Sequence, residues 1–161
     1  MTALTTTTVG SLTSLWDRPG YLIRRLHQIH VAIFLEECAE YGITPVQYAV
    51  MTALLNRPGA DQVTIARDAG IDRTNVADVL ARLEQRGLVK RKPSDKDRRM
   101  RTAVLTTKGE TIAREMEHAS LRAQDKLMAP LPKSKQDHLM TLMTELVEAN
   151  NEFSRAPAAE K

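Results

Sequence analysis

The chain has 161 residues, 42% hydrophobic and 27% charged, so it can bury one sizeable core and we expect one compact domain. Only two Phe, one Trp and three Tyr are present, too few for the base-stacking surfaces of single-strand or RNA-binding proteins. A single cysteine, Cys38, excludes an intrachain disulfide and a cysteine-rich zinc site.

Neither end of the chain carries a targeting or membrane pattern. No apolar run approaches the roughly 20 residues that span a bilayer, and the opening MTALTTTTVGSLTS has no basic region followed by an apolar block. We therefore expect a cytoplasmic protein without a membrane partner. Residues 1–14 and 155–161 lack a sustained hydrophobic period and are predicted to be flexible tails.

Helical spacing begins at Arg18-Pro19, where Asp17 can cap, and predicts a first helix to about Tyr41 before Gly42. This helix is apolar over much of its circumference and therefore needs partners on more than one side. One stripe holds Leu22, Leu26, Ile29 and Ile33, and a second adds Ile23, Phe34 and Cys38.

The second helix is predicted from a capping box, Thr44 with Gln47, and from Pro45 at the first helical position. Its inward positions should be Val46, Ala49, Val50, Ala53 and Leu54. A short third helix should begin at Asp61 or Gln62 and end at Gly70.

Asp72 can cap a fourth helix, RTNVADVLARLEQRG, which buries Val76, Val79, Leu80 and Leu83 at helical spacing. The opposite face carries small and polar residues, so it can lie deep in a major groove. Its polar members are Thr74, Asn75, Asp78 and Arg82.

A β-hairpin with a charged tip follows, its strands starting at Leu88 and at Thr102. The run from Arg86 to Arg101 holds eight Arg and Lys against two Asp, a net charge of +6, whereas the whole chain carries +3. Positive charge concentrated beside a helix of this kind is typical of a nucleic-acid interface. Two more helices are predicted, from about Lys108 to Met128 and from about Ser134 to Asn151.

Three strings carry a family resemblance: ITPVQYAVMTALL, ARDAGIDRTNVADVLARLEQRGLVKR and DKDRRMRTAVLTTKG. Over about residues 15–152 the chain resembles the MarR family of bacterial transcription regulators. The last string is the most specific, because the family has an acidic residue, an arginine two positions later, then Leu-Thr and Lys-Gly. These are Asp97, Arg99, Leu105, Thr106, Lys108 and Gly109.

The resemblance implies a mainly α fold with a small β wing, in one domain over 15–154. A winged helix-turn-helix at about 44–106 would be flanked by dimerisation helices at about 17–42 and 108–152. It also implies a homodimer on a pseudo-palindromic, double-stranded DNA operator. Asp97 could hold the guanidinium of Arg99 so that the wing enters the minor groove preorganised.

The residues predicted to contact DNA lie on the short third helix, the fourth helix and the wing. Which of them read bases and which bind phosphate stays open. Asp78 would accept from a cytosine amino group or brace Arg82. The set is Thr64, Arg73, Thr74, Asn75, Asp78, Arg82, Arg91, Lys92, Lys96, Asp97, Arg98, Arg99 and Arg101.

The resemblance further implies a pocket for small aromatic carboxylates between the dimer helices and the winged domain. The opening WDRPGYLIRRLHQIHVAIFLEEC is similar to that of members that repress nicotinate degradation genes and respond to 6-hydroxynicotinate. We therefore expect a repressor that such an acid releases from DNA. The candidate ligand residues are Arg18, Tyr21, His27, His30 and Phe34.

Alternative functions remain open at this point. A ligand-independent DNA-binding or architectural regulator would share every DNA feature. Redox sensing through Cys38 is disfavoured because the nearby carboxylates of Glu36, Glu37 and Glu40 oppose formation of the thiolate. Cys38 also comes later in the sequence than the reactive cysteine of the redox-sensing members that the resemblance implies. A metal bound by His27 and His30 rests only on their i, i+3 spacing, so no metal is predicted. Neither a cofactor nor a catalytic residue is expected, because no phosphate-binding loop or nucleophile motif is present.

Overall fold

The computed structural model describes residues 14–95, 97 and 100–155. Both predicted tails therefore lie almost wholly outside it, and so do Lys96, Arg98 and Arg99. Within the described residues the helices are α1 Pro19–Glu37, α2 Pro45–Asn56, α3 Gln62–Ala69, α4 Arg73–Gln85, α5 Thr107–Met128 and α6 Lys133–Ala149. The strands β1 Ala60–Asp61, β2 Val89–Pro93 and β3 Arg101–Leu105 form an antiparallel sheet in the order β1-β3-β2.

The predicted capping residues of α2, α3 and α4 are confirmed. Thr44 Oγ1 accepts from the backbone N–H of Gln47, and Gln47 Oε1 accepts from that of Thr44, at 3.2 and 3.0 Å. Asp72 Oδ1 accepts from the backbone N–H of Thr74 at 3.1 Å. Gly70 ends α3 at φ +64°, a conformation that glycine adopts without steric cost.

Four local predictions were wrong. Helix α1 ends at Glu37, and the chain then tightens into a 3-10 turn at Ala39–Tyr41 before Gly42. Asp17 lies in a preceding 3-10 turn, and the residue at the N-cap of α1 is Arg18, which makes no side-chain capping bond. Val46 points outward and is 39% exposed, because the first turn of α2 directs Gln47, which is 8% exposed, towards the core in its place. The last helix also ends two residues earlier than predicted, at Ala149.

The core lies where α1 to α5 meet the sheet, and it fixes the orientation of α4. Val76, Leu80 and Leu83 are at most 1% exposed, so the predicted inward face of this helix is confirmed. Because that face is buried, the opposite face of α4 is directed outward. The largest fully buried side chains elsewhere include Phe34, Ile43, Met51, Leu54, Ile65, Leu88 and Met116.

The start of α5 packs directly on the chain segment between α4 and β2. Thr106 Oγ1 accepts from the backbone N–H of Gly109 at 3.0 Å and donates to the carbonyl of Gly87 at 2.7 Å. The backbone N–H of Thr106 donates to the carbonyl of Leu88 at 3.0 Å. A Cβ atom at Gly109 would lie 2.0 Å from that same carbonyl oxygen, so only glycine fits there. The Leu-Thr and Lys-Gly pairs of the sequence motif therefore join the wing to α5.

Two helices leave much of their apolar surface uncovered. No residue of α6 is buried, and in the first half of α1 only Tyr21 is half-buried while its neighbours are exposed. The apolar side chains that are 38–67% exposed on these helices are Leu22, Ile23, Leu26, Ile29, Leu35, Met140, Leu142, Met143, Leu146 and Val147. Such a surface is larger than a soluble monomer normally leaves in water.

None of the helices in the described part of the chain is long and apolar enough to cross a membrane.

Candidate nucleic-acid interface and effector cleft

The outward face of α4 presents the predicted polar residues together. Arg73, Thr74, Asn75, Asp78 and Arg82 are all exposed there. Within the described residues no ion pair joins Asp78 to Arg82, so the bracing considered from the sequence is not made in this structure. Both side chains therefore project into solvent along the face that could enter a groove.

The N-terminus of α4 is held by Asp72. Besides capping the helix, Asp72 lies 2.9 Å from the guanidinium of Arg155 in the C-terminal segment. The hydrogen bond from Arg155, followed by those from Thr74, lowers the pKa of Asp72 below its usual range. The cap therefore stays ionised, and the C-terminal segment lies beside the start of this helix.

Arg91, one of the predicted DNA-contacting cations, is bound within the protein. Its Nε donates to Glu84 Oε2 at 2.8 Å, and its backbone N–H donates to Glu84 Oε1 at 3.2 Å. These bonds, led by the side-chain bond, lower the pKa of Glu84. The pair thereby fastens the first wing strand to the end of α4.

Arg86, at the beginning of the basic run, is also directed inward. Its two terminal nitrogens donate to the carbonyls of Gly42 and Tyr41 at 2.6 and 2.9 Å. These carbonyls belong to the turn that follows α1. The C-terminal end of α4 is therefore tied to the end of α1, a contact over more than 40 residues that local sequence patterns could not reveal.

The other predicted DNA-contacting residues divide into three groups. Lys92 and Arg101 are exposed on neighbouring strands, and Lys92 lies 3.6 Å from Asp95. Thr64 is half-buried on α3, where its backbone N–H donates to Asp61. Asp97 is exposed, but the predicted Asp97–Arg99 contact, like Lys96 and Arg98, lies outside the described residues.

A cleft of about 610 Å³ separates α1 from the helix-turn-helix. Its walls come from α1, α2, α3 and α5, so it is bordered both by the first helix and by the helices that position α4. Of the predicted ligand residues, His30 and Phe34 line it. Arg18, Tyr21 and His27 are not among its described lining residues, and Tyr21 instead packs edge-on against Trp16 with ring centroids 6.5 Å apart.

The cleft has an aromatic wall with neutral polar groups. The ring of Phe34 lies 6.3 Å from that of His30 and 5.8 Å from that of Tyr48. Burial and then the neighbouring His27 lower the pKa of His30, and burial raises the pKa of Tyr48. His30 Nε2 is 3.5 Å from the amide nitrogen of Gln124. The site therefore fits a flat ring with polar edges.

Sequence reasoning missed most of this cleft because its walls come from separate helices. Tyr48, Thr52 and Arg57 come from the α2 region, whereas Ser120 and Gln124 come from α5. Tyr48 gave the one available signal, since it is the only aromatic residue of α2. That signal could not be connected to His30 without the packing of α1 on α2.

The redox and metal alternatives gain no support from the geometry. Cys38 is 1% exposed, and burial raises the pKa of its thiol, which disfavours the reactive thiolate. Among the described residues, no three His, Cys, Asp or Glu side chains are grouped so that they could hold a metal ion.

Helices α2 to α4 with the β2–β3 hairpin form a winged helix-turn-helix, and the flanking α1, α5 and α6 extend it in the arrangement that the sequence predicted. The family model described as MarR family matches residues 41–100, which cover this unit up to the wing tip. The chain belongs to the MarR family of transcriptional regulators.

Individual relatives agree over nearly the whole chain. The transcriptional regulator HosA of Escherichia coli O111:H- is 31% identical over 136 residues, which are 84% of this chain and 99% of HosA. The structure of Bordetella bronchiseptica BpsR, whose DNA binding is regulated by 6-hydroxynicotinic acid, has a TM-score of 0.78 at 25% identity and covers 83% of this chain and 96% of BpsR. The transcriptional repressor CouR, bound to a 23-mer DNA duplex, has a TM-score of 0.75 at 31% identity, covering 83% of this chain and 94% of CouR.

Proposed function

We propose that the protein is a homodimeric repressor that leaves a pseudo-palindromic operator when a small aromatic carboxylate binds in the cleft. The first candidate for that ligand is 6-hydroxynicotinate. The observation that carries this proposal is the position of the cleft, which borders α1 on one side and the helix-turn-helix on the other. A ligand there touches both the element expected to form the dimer and the element expected to contact DNA.

The DNA part of the proposal rests on α4 and the wing. The exposed polar face of α4 has a composition suited to the major groove, and Lys92 and Arg101 are exposed on the wing strands. CouR has been solved on a DNA duplex, which supports the same use of this fold here. Arg73, Thr74, Asn75, Asp78 and Arg82 would meet bases or phosphates, and Thr64, Lys92, Lys96, Asp97, Arg98, Arg99 and Arg101 would complete the interface.

The homodimer is supported by the uncovered apolar surface. A second copy would cover the exposed faces of α1 and α6 on both subunits at once, because a twofold interface uses the same patch twice. It would also place two copies of α4 on half-sites about one helical turn apart. A monomer would leave this surface in water without a function for it.

The effector part of the proposal draws on the chemistry of the cleft and on BpsR. The aromatic wall of Phe34 and Tyr48 fits a pyridine or benzene ring, and His30 and Gln124 offer hydrogen bonds to polar substituents. BpsR responds to 6-hydroxynicotinic acid. For release to follow, the acid must bind one dimer arrangement more tightly than the other, since equal affinity shifts no equilibrium.

The test is a fluorescence anisotropy titration on an operator first located by footprinting the intergenic DNA upstream of the gene. We expect 6-hydroxynicotinate, nicotinate or salicylate to release the duplex. His30→Ala should weaken the response while DNA affinity without ligand is kept. His118→Ala is the matched control, because His118 is an exposed histidine of α5 outside the cleft. If none of the three acids releases the operator, the protein is a ligand-independent DNA binder and the effector part is refuted.

A further inference from the structure

One charged pair lies at the polar edge of the cleft. Arg57, at the C-cap of α2, places its Nε 2.8 Å from Asp68 Oδ2 on α3, and both residues line the cleft. The Arg57 side chain is 61% exposed, whereas that of Asp68 is 21% exposed. Along the described part of the chain, Arg57 is the only Arg or Lys that lines this cleft.

Asp68 has a second cationic partner. Arg67 Nε donates to Asp68 Oδ1 at 3.3 Å, on the other oxygen of the same carboxylate. Arg67 is not among the described residues that line the cleft. If the guanidinium of Arg57 turned away, Asp68 would therefore keep an ion pair and would not be left as an unpaired carboxylate in a partly buried position.

We propose that Arg57 breaks its ion pair with Asp68 and binds the carboxylate of the effector instead. This inference rests on the proposed function, because it assumes that an aromatic acid occupies the cleft. An exposed ion pair contributes little to stability, so the exchange of one carboxylate for another at Arg57 costs little. The planar guanidinium can bind a carboxylate through two parallel hydrogen bonds, which fixes the orientation of the ring as well.

The alternative anchor for the acid inside the cleft is His30, and it is weaker. Burial and the neighbouring His27 lower its pKa, so the imidazole is neutral at pH 7 and offers one N–H rather than a charge. Tyr48, Thr52, Ser120 and Gln124 are neutral as well. A carboxylate that enters the cleft therefore has its strongest electrostatic attraction to Arg57.

The exchange has a consequence for the helix-turn-helix. The Arg57–Asp68 pair joins the end of α2 to α3, the helix that packs against α4. When Arg57 turns to the effector, this connection between α2 and α3 opens. The bound acid thereby contacts the end of α2 beside α3, the helix that packs against α4, where it can bind one arrangement of the helix-turn-helix more tightly than the other.

The first experiment uses titration calorimetry to measure the affinities of two ligands for the intact wild-type protein and for Arg57→Met. The ligands are 6-hydroxynicotinate and its neutral amide, 6-hydroxynicotinamide. Wild type should bind the acid about tenfold or more tightly than the amide, the usual size of a hydrogen bond to a charged group. In Arg57→Met this preference should disappear, because methionine offers no charge and no N–H to the carboxylate. A merely structural role for Arg57 would weaken both ligands equally.

The second experiment uses the displaced carboxylate. Asp68→Asn should bind 6-hydroxynicotinate about threefold more tightly than wild type, since the competitor for Arg57 loses its charge. Arg67→Met tests the second partner of Asp68: it leaves this carboxylate with Arg57 alone, so it should bind the acid more weakly than wild type although Arg67 does not line the cleft. A loss of acid affinity in Asp68→Asn, with an unchanged melting temperature, would contradict the exchange.

The two proposals fail differently. If wild type responds to the acid and Arg57→Met keeps the full preference for acid over amide, the anchor is overturned and the proposed repressor stands. If wild type binds none of the three acids 6-hydroxynicotinate, nicotinate and salicylate, the effector part of the proposed function is refuted. The proposed role of Arg57 is then refuted as well.

Discussion

Gly109 at the start of α5 lies against the carbonyl of Leu88 with no room for a side chain between them. We predict that Gly109→Ala destabilises the protein by about 3 kcal/mol, because the new Cβ atom meets backbone that cannot move without breaking the bond between Thr106 and Leu88. Urea unfolding followed by circular dichroism measures the change.

Gly20→Ala is the matched control for this substitution. A Cβ atom there would meet only the side chain of Arg24, at 3.7 Å, and alanine is the better helix former by up to about 1 kcal/mol. Its free energy of unfolding should be equal to that of wild type or slightly higher. If Gly109→Ala were as stable as Gly20→Ala, α5 would be able to move away from the wing, and Gly109 would not be required for their packing.

At the scale of elements, the contact of Glu84 with Arg91 holds the wing against α4. Two interpretations predict opposite results for Glu84→Gln. If only charge mattered, removal of a carboxylate near DNA would tighten operator binding. We expect operator binding to become about threefold to tenfold weaker instead, because the Glu84–Arg91 pair positions the wing. Anisotropy on the operator at two salt concentrations separates the effects, since a positioning residue leaves the salt dependence unchanged. Glu145→Gln, on α6, is the control for a simple loss of negative charge.

The same pair predicts a dependence on pH. Arg91 lowers the pKa of Glu84 below its usual 4.5, so the folded protein binds this proton less readily than the unfolded chain. The stabilisation is therefore fully present above pH 4.5 and is lost as the pH falls through the lower pKa of the folded state. Acid unfolding of Glu84→Gln should begin at the same pH as in wild type or higher, with a shallower slope below pH 4.5.

The sequence predicted those features of the elements that depend on neighbouring residues. The capping box of Thr44 and Gln47, the Asp72 cap and the Gly70 terminus each need only three or four consecutive residues, and all were found at the expected places. The buried face of α4 followed from its spacing for the same reason. The error at Val46 arose because an apolar residue was assigned to the core side of the first turn, whereas the structure buries the neighbouring polar residue Gln47 there.

Features that depend on distant residues could not be predicted. Arg86 and Arg91 looked like members of one basic patch, yet each is bound within the protein, to the turn after α1 and to Glu84 respectively. The cleft was anticipated between the right parts of the fold, but only His30 and Phe34 of its proposed residues line it. Arg18, Tyr21 and His27 precede His30 and Phe34 towards the N-terminal end of α1, and the packing of α1 with α2 and α5 decides which of its residues line the cleft.

For the whole molecule, the uncovered faces of α1 and α6 predict that folding and association are linked. Leu146→Glu places a charge in the apolar face of α6, where the side chain is 63% exposed in the single chain, and it should give monomers that no longer bind the operator. Sedimentation velocity measures the change. Thr141→Glu, on the opposite face of the same helix, should leave the dimer intact. Dimers of normal affinity in Leu146→Glu would mean that the interface lies elsewhere.

The absence of any buried residue in α6 bears on how much protein a cell must make. If the helix is covered only in the dimer, the melting temperature should rise with protein concentration, because the monomer loses its partner on dilution. Operator occupancy would follow the same mass action. At low abundance, operator occupancy would grow with the square of the protein concentration, so that doubling this concentration would raise occupancy about fourfold. In the proposed repressor, the uncovered helix would thus make operator occupancy depend on expression level as well as on ligand.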